Sequence, residues 1–241
     1  MKIIGLILTY NCEPMIQKAI NNIPKKYFNK IICADDNSKD RTGEIVKSNK
    51  IEFLTHDHLG YGGNLFYGLK KAFELGATHV IELHGDGQYD FKVVKDSLPL
   101  INNGADLILG NRFYKYYQPL KSGMDIYRFM GNILLTLIGS IGLGMKTRDL
   151  FPGFRIYSKN FFDKIDIINT SNNYFFSFEI IAQSKYLNLN ILTIPVNCDY
   201  KHEHSSMALI NGLPAIFHTI KTVVLYRMAK LKIKIGIFKN L

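Results

Sequence analysis

Between residues 3 and 112 the chain alternates short apolar, β-prone runs with stretches of helical periodicity, and this rhythm restricts the fold more than any other feature. Runs at 3–9, 30–34, 51–54, 79–83 and 106–109 read as strands. Between them, 14–22, a segment opening between Asp40 and Thr42 and closing at Ser48, 62–75 and 91–102 read as helices; the third carries Leu65, Leu69, Ala72 and Phe73 on one face. A strand, a crossover helix and a further strand imply parallel pairing, so the expected class is α/β with a mostly parallel sheet flanked by helices.

Composition supports such a core. The 241 residues are 47% hydrophobic and 21% charged, enough for one domain or one domain with an appendage. A net charge of +10 points to an anionic partner: nucleic acid, acidic lipid headgroups or a phosphorylated substrate. The positive residues are scattered or clustered in the tail, and no nucleic-acid motif occurs, which argues against nucleic acid. Cys12, Cys33 and Cys198 lie far apart and odd in number, so neither a disulfide framework nor a zinc site is expected, and a reducing cytoplasm suits the chain. Residues 1–10 read as a buried first strand rather than a signal segment. Residues 129–145 carry no charge and 208–241 mix apolar with basic residues, yet neither reaches the ~20 clean apolar residues of a spanning helix.

In open parallel sheets ligands bind beyond the carboxyl ends of the strands, and the polar clusters fall there: Tyr10 and Asn11, Asp35 and Asp36, His84 to Gln88, Gly110 to Arg112. Asp35 and Asp36 have the chemistry to accept hydrogen bonds from a base edge and a ribose; helix capping is the competing role, and Asp40 suits that role better. The glycines of HLGYGGN, residues 58–64, would let backbone amides approach a phosphate or base, as they would also serve a tight turn. In ELHGDGQYD, residues 82–90, an extended backbone would place His84, Asp86 and Gln88 on one side, where a carboxylate and an amide oxygen suit Mg²⁺ or Mn²⁺. Arg112 and Arg155 sit on glycine-bearing turns and would hold phosphate oxygens or form structural ion pairs. Asp149, six residues before Arg155, would position it or line the acceptor site.

Taken together, LTYNCE (8–13), ADDNSKDRT (34–42), HLGYGGNLFYGLKKA (58–72), HGDGQYD (84–90), GNRF (110–113) and DLFPGFR (149–155) resemble, in order, the family 2 inverting glycosyltransferases. Within them the chain is most similar to the branch of dolichyl-phosphate mannose synthase and bacterial polyprenyl-phosphate glycosyltransferases. The resemblance implies a GT-A type fold over residues 1–207, and 208–241 read from their own pattern as a basic amphipathic, membrane-associated tail. It also implies a UDP- or GDP-sugar donor and a divalent ion, Mg²⁺ or Mn²⁺, on the motif written DxD followed by Gln. Asp86 and Gln88 match the second Asp and the Gln, while His84 stands where the first Asp usually is. Carried over residue by residue, the donor would meet Thr9, Tyr10, Asn11, Glu13, Asp35, Asp36, Gly60, Gly62 and Asp86. The catalytic set would be Asp86, Arg112, Asp149 and Arg155, with Arg112, Arg155, Lys201, Ser205 and Ser206 binding acceptor or phosphate. Around 198–207 the chain departs from its branch, offering Asp199, Tyr200 and Lys201 where an Arg usually precedes a Ser pair.

The acceptor presents a fork. A lipid phosphate is already an anion and needs only cations to hold it, whereas a saccharide hydroxyl needs a base such as Asp149. From residue 221 onward Lys221, Arg227, Lys230, Lys232, Lys234 and Lys239 interleave with apolar residues and no acid, a pattern suited to anionic lipid headgroups or to packing on the enzyme's own core or a partner. The expectation is therefore transfer to a polyprenyl phosphate at the cytoplasmic face of a membrane. The alternatives are transfer to a saccharide hydroxyl and non-catalytic sugar-nucleotide binding.

Overall fold

A computed structural model describes residues 1–201 and 212–241. Among these residues seven strands form one sheet in the order β3-β2-β1-β4-β6-β5-β7: β1 (Ile3–Thr9), β2 (Lys30–Asp35), β3 (Glu52–Thr55), β4 (His79–His84), β5 (Leu107–Asn111), β6 (Arg155–Ser158) and β7 (Ile191–Pro195). β1 runs parallel to both β2 and β4, β2 to β3, and β5 to β7. β6 runs antiparallel between β4 and β5. Chain order advances outward from β1 through β2 to β3, then returns to the other side at β4. The β1/β4 junction is thus the topological switch point, where diverging connections leave a crevice at the strands' carboxyl ends.

The helices fill both faces because their apolar stripes have no other burial. α1 (Glu13–Asn22) buries Ile16, Ala19 and Ile20, and α4 (Val93–Asn102) buries Val93, Val94 and Ile101 in one core layer. α3 (Gly60–Glu74) and α8 (Phe176–Tyr186) bury Leu65, Leu69, Phe178 and Ile181 in the other. α2 (Thr42–Ser48) and the short α5 (Gln118–Lys121) and α7 (Lys159–Lys164) close connections. α6 (Ile126–Leu143) starts where Asp125 accepts the Arg128 N–H at 2.8 Å and stops at Gly144, whose φ of +64° ends the helix.

The first five strands fall where the sequence reading puts them, within two residues at each end. The reading stops short of β6 and β7. The tail does not lie apart from the domain: α9 (Gly212–Lys230) packs on α6 and α8, and Ile237 and Phe238 are buried in the main core. Gln183 Nε2 donates to the Ile237 carbonyl at 2.6 Å, and Phe238 lies 5.3 Å from Tyr186 between ring centres. Lys221, Arg227 and Lys230 are exposed, Tyr226 and Ala229 between them are buried, and Val224 is exposed like the basic residues, so α9 presents basic and apolar side chains together on its outer side.

Candidate active site

The crevice floor is built from the ends of β1 and β2. Asp35, 1% exposed, accepts Thr9 Oγ1 at 2.7 Å, Ser38 N at 2.8 Å and Ser38 Oγ at 2.6 Å. Asp36, 3% exposed, accepts the N–H groups of Leu59 at 2.7 Å and Gly60 at 3.0 Å, and its Oδ2 lies 2.8 Å from His58 Nδ1. Both carboxylates are thus tied into the protein, Asp36 to the glycine-bearing turn that opens α3. Above them Tyr10 is half exposed, its ring 4.8 Å from that of His58, and offers a flat ledge. Asn11, at φ +49°, accepts Lys39 N–H and takes Ser38 Oγ on its own N–H. Glu13 faces the neighbouring loop, where it accepts Arg41 N–H at 3.0 Å, and Asp40 accepts Thr42 and Glu13 N–H groups as a cap would.

Gly60 and Gly62 answer to packing. Gly60 has φ +79°, and a Cβ there would meet the Asn172 carbonyl at 2.8 Å. A Cβ on Gly62 would meet Phe176 Cβ at 2.7 Å, and Gly62 N–H donates to the Asn172 carbonyl at 2.7 Å.

β4 ends at His84, and the chain turns at Gly85 and Asp86, with Gly87 at φ +65°. The extended alternation expected of His84, Asp86 and Gln88 therefore does not occur. Asp86 Oδ1 accepts Gln88 N–H at 3.0 Å, which brings both residues onto one turn. A hard divalent ion fits a carboxylate and an amide oxygen, with the other positions left to water and diphosphate. Among the described residues no group of three or more His, Cys, Asp and Glu comes together to hold a metal.

His84 is tied into the protein through its ring. Its Nε2 points inward, 2.9 Å from Glu82 Oε1 and 2.9 Å from the Gly153 carbonyl. Burial alone would lower its pKa, but the hydrogen bond and charge of Glu82 outweigh burial and raise it to about 9. Through these two contacts on Nε2, His84 is anchored to the protein beside the turn.

The two arginines also differ from expectation. Asp149, wholly buried, pairs with Arg112 rather than Arg155: Oδ2 accepts Arg112 N at 3.0 Å and Nε at 2.7 Å, and Oδ1 accepts Nη2 at 2.8 Å. Arg112 also donates to Asn132 Oδ1 at 3.0 Å, the Phe151 carbonyl at 2.9 Å and Tyr200 Oη at 3.2 Å. Its bidentate edge is therefore occupied by Asp149. Arg155 is 1% exposed; Nη1 donates to Tyr61 Oη at 2.9 Å and lies 3.8 Å from Glu82. So buried, Arg155 belongs to a charge cluster with Glu82, Tyr61 and Tyr157. Lys201 is exposed and lines a groove of about 770 Å³ with Gln88, Tyr114 and Lys121. Ser205 and Ser206 lie outside the described residues.

Sequence reasoning missed Arg128 and Asn132. They stand one turn apart on α6, where Asn132 Nδ2 donates to the Arg128 carbonyl, and the Arg128 guanidinium lies 5.1 Å from the centre of the Tyr200 ring. The signal was there: an arginine and an asparagine at i, i+4 in an otherwise apolar helix have to face something polar.

Comparison with known proteins follows the same lines. The family model described as "Glycosyl transferase family 2" matches residues 6–166. The chain is 29% identical over 249 residues to UDP-N-acetylglucosamine–dolichyl-phosphate N-acetylglucosaminyltransferase of Methanococcus voltae, covering 95% of this chain and 98% of that protein. It is 24% identical to dolichyl-phosphate hexose transferase of Haloferax volcanii, covering 92% and 94%. Among solved structures, glucosyl-3-phosphoglycerate synthase of Mycobacterium tuberculosis with Mn²⁺, UDP and glucosyl-3-phosphoglycerate superposes with a TM-score of 0.68 at 15% identity, over 93% of this chain and 79% of that one. That likeness is one of fold.

Proposed function

Because the chain belongs to glycosyl transferase family 2, and is a glycosyltransferase built on a GT-A fold, we propose that it moves a sugar from a nucleoside diphosphate to a polyprenyl phosphate at a membrane surface. The observation that carries the choice of acceptor is the state of Asp149. Both of its oxygens accept from Arg112, and it is wholly buried, so it has no access to a hydroxyl proton. An acceptor that arrives as an anion needs no base, only in-line placement against the anomeric carbon. Names among the relatives support the same acceptor chemistry, and that of the M. voltae protein supports a UDP-sugar donor.

In this reading the floor formed by Thr9, Asp35 and Asp36 with the ledge of Tyr10 and His58 receives the nucleoside, and Asp86 and Gln88 would hold a divalent ion. Such an ion, when bound, neutralises the departing diphosphate. Arg112, its charge paired with Asp149, would shape the wall beneath the acceptor path, and the cations of Arg128 and Lys201, with Asn132, flank it.

Membrane association is supported by the outer face of α6 and α9. Ile126, Tyr127, Met130, Leu134, Leu137 and Ile141 on α6, and Leu213, Phe217, Ile220 and Val224 on α9, are all exposed. The two helices pack side by side, making one apolar plate, with exposed Tyr116 and Tyr117 also apolar at their rims. Arg227 donates to the Ile141 carbonyl, which puts a cation at one end of the plate, where anionic headgroups would meet it. α6 is long and apolar enough to count as a membrane span by length and composition. Phe129 and Leu143, near its two ends, and Thr136 and Gly139 between them are buried against the domain, which supports a helix lying along a surface. The three cysteines are free and buried, which suits the reducing, cytoplasmic side.

The test is a thermal-shift titration with UDP- and GDP-sugars, with and without Mn²⁺, followed by transfer to polyprenyl phosphate in vesicles. A metal-dependent rise in melting temperature with one nucleotide and an organic-soluble labelled product are expected, both lost in Asp86→Asn. Transfer retained in that variant overturns the role of Asp86, and transfer only to a soluble saccharide overturns the acceptor.

A further inference from the structure

Glu82 stands on β4, wholly buried in the middle of a sheet where an aliphatic side chain would suit its neighbours. A carboxylate placed there must be held by donors, and three elements supply them. Tyr61 Oη from the start of α3 donates to Oε1 at 2.6 Å, and Tyr157 Oη from β6 donates to Oε2 at 2.7 Å. His84 Nε2, from the last residue of β4, lies 2.9 Å from Oε1.

Each contact leads toward the site. Tyr61 follows Gly60, whose N–H holds Asp36 on the crevice floor. His84 precedes the turn that carries Asp86 and Gln88, and its Nε2 also reaches the Gly153 carbonyl at 2.9 Å. The N–H of the same Gly153 donates at 2.6 Å to the hydroxyl of Tyr89, the residue just after Gln88. The two flanks of the turn are therefore gripped by one glycine. A Cβ on Gly153 would stand 2.9 Å from Tyr89 Oη and 3.0 Å from His84 Nε2, so a side chain there would push on both.

We infer that Glu82, acting through His84, and Gly153, acting through His84 and Tyr89, are positioning residues that fix the Asp86–Gln88 turn relative to the donor floor. The inference rests on the reading of that turn as the site of diphosphate release. Neither residue touches substrate. Residues that orient a ligand-bearing group typically change affinity or activity by about 10–100-fold when altered.

The first readout needs no ligand: amide hydrogen exchange over residues 84–89 in Glu82→Gln and Gly153→Ala, with Ile108→Val in β5 as a core variant that removes no hydrogen bond to either flank. Exchange in the turn about tenfold faster in the first two variants, and unchanged in the third, is expected. The second readout titrates Mn²⁺ against the UDP-dependent thermal shift, where the half-saturating concentration rises about 10–100-fold in the two variants. In transfer assays kcat falls by a similar factor while the donor KM stays within about threefold. Wild-type exchange and wild-type Mn²⁺ dependence in Glu82→Gln overturn the inference, as does an equal loss in Ile108→Val. A wild-type enzyme that transfers nothing would refute the proposed function, and the exchange measurement would still decide the role of Glu82.

Discussion

Asp149 and Arg112 stand 37 positions apart and meet in a buried ion pair. Sequence proximity suggested Arg155 as the partner of Asp149, but Arg155 begins β6, and there its side chain enters the cluster of Glu82, Tyr61 and Tyr157. Which arginine a carboxylate meets depends on strand order, and β6 was not legible as a strand in the sequence. Breaking a buried pair leaves the other charge stranded, so Asp149→Asn is expected to cost about 3–5 kcal/mol, read as a lowered midpoint in urea denaturation. A loss below about 1 kcal/mol would mean that Arg112 finds water or another acceptor. The strand-end carboxylates were legible as a pair, because Asp after an apolar run stands out. Their partners were not, since Ser38, Leu59 and Gly60 are ordinary loop residues until the turn folds over them.

At the level of elements, the join between α8 and α9 turns on one buried carboxylate. Glu179 accepts Ser171 N at 2.6 Å and Ser171 Oγ at 2.8 Å, and lies 3.0 Å from His218 Nε2 on α9. Burial would raise its pKa, but the His218 and Ser171 contacts prevail and hold it below the ordinary glutamate value of 4.5. A group depressed in the folded state contributes stability that is complete above its unfolded pKa and is lost as pH falls through the folded one. Melting temperature should therefore fall as pH drops below about 4.5, and fall less steeply in Glu179→Gln, which starts lower at neutral pH. Parallel pH profiles for the two proteins would assign acid sensitivity elsewhere. The same segment backs the glycine-bearing start of α3, because Asn172, next to Ser171, receives the Gly62 N–H. The periodicity of α3 was readable, while the reason for its glycines lay in residues 110 positions away.

At the scale of the whole molecule, the apolar plate of α6 and α9 is the face that the proposed function would set against a membrane. Leu137 is 55% and Phe217 71% exposed, so aspartate at both positions should leave folding stability nearly unchanged. The double variant is expected to lose roughly tenfold or more of its binding to vesicles containing anionic lipid, measured by co-sedimentation. Undiminished binding would move the membrane contact to the exposed lysines. The sequence by itself determined the α/β class, the first five strands, the clusters at their carboxyl ends and the family, because hydrophobic period and motif spacing are local properties of the chain. Only the tertiary structure decided that His84 faces Glu82, that Asp149 belongs to Arg112, and that the tail turns back so that Phe238 enters the core. Those outcomes depend on which distant groups a buried charge or ring meets, and burial is a property of the packed molecule that no local pattern carries.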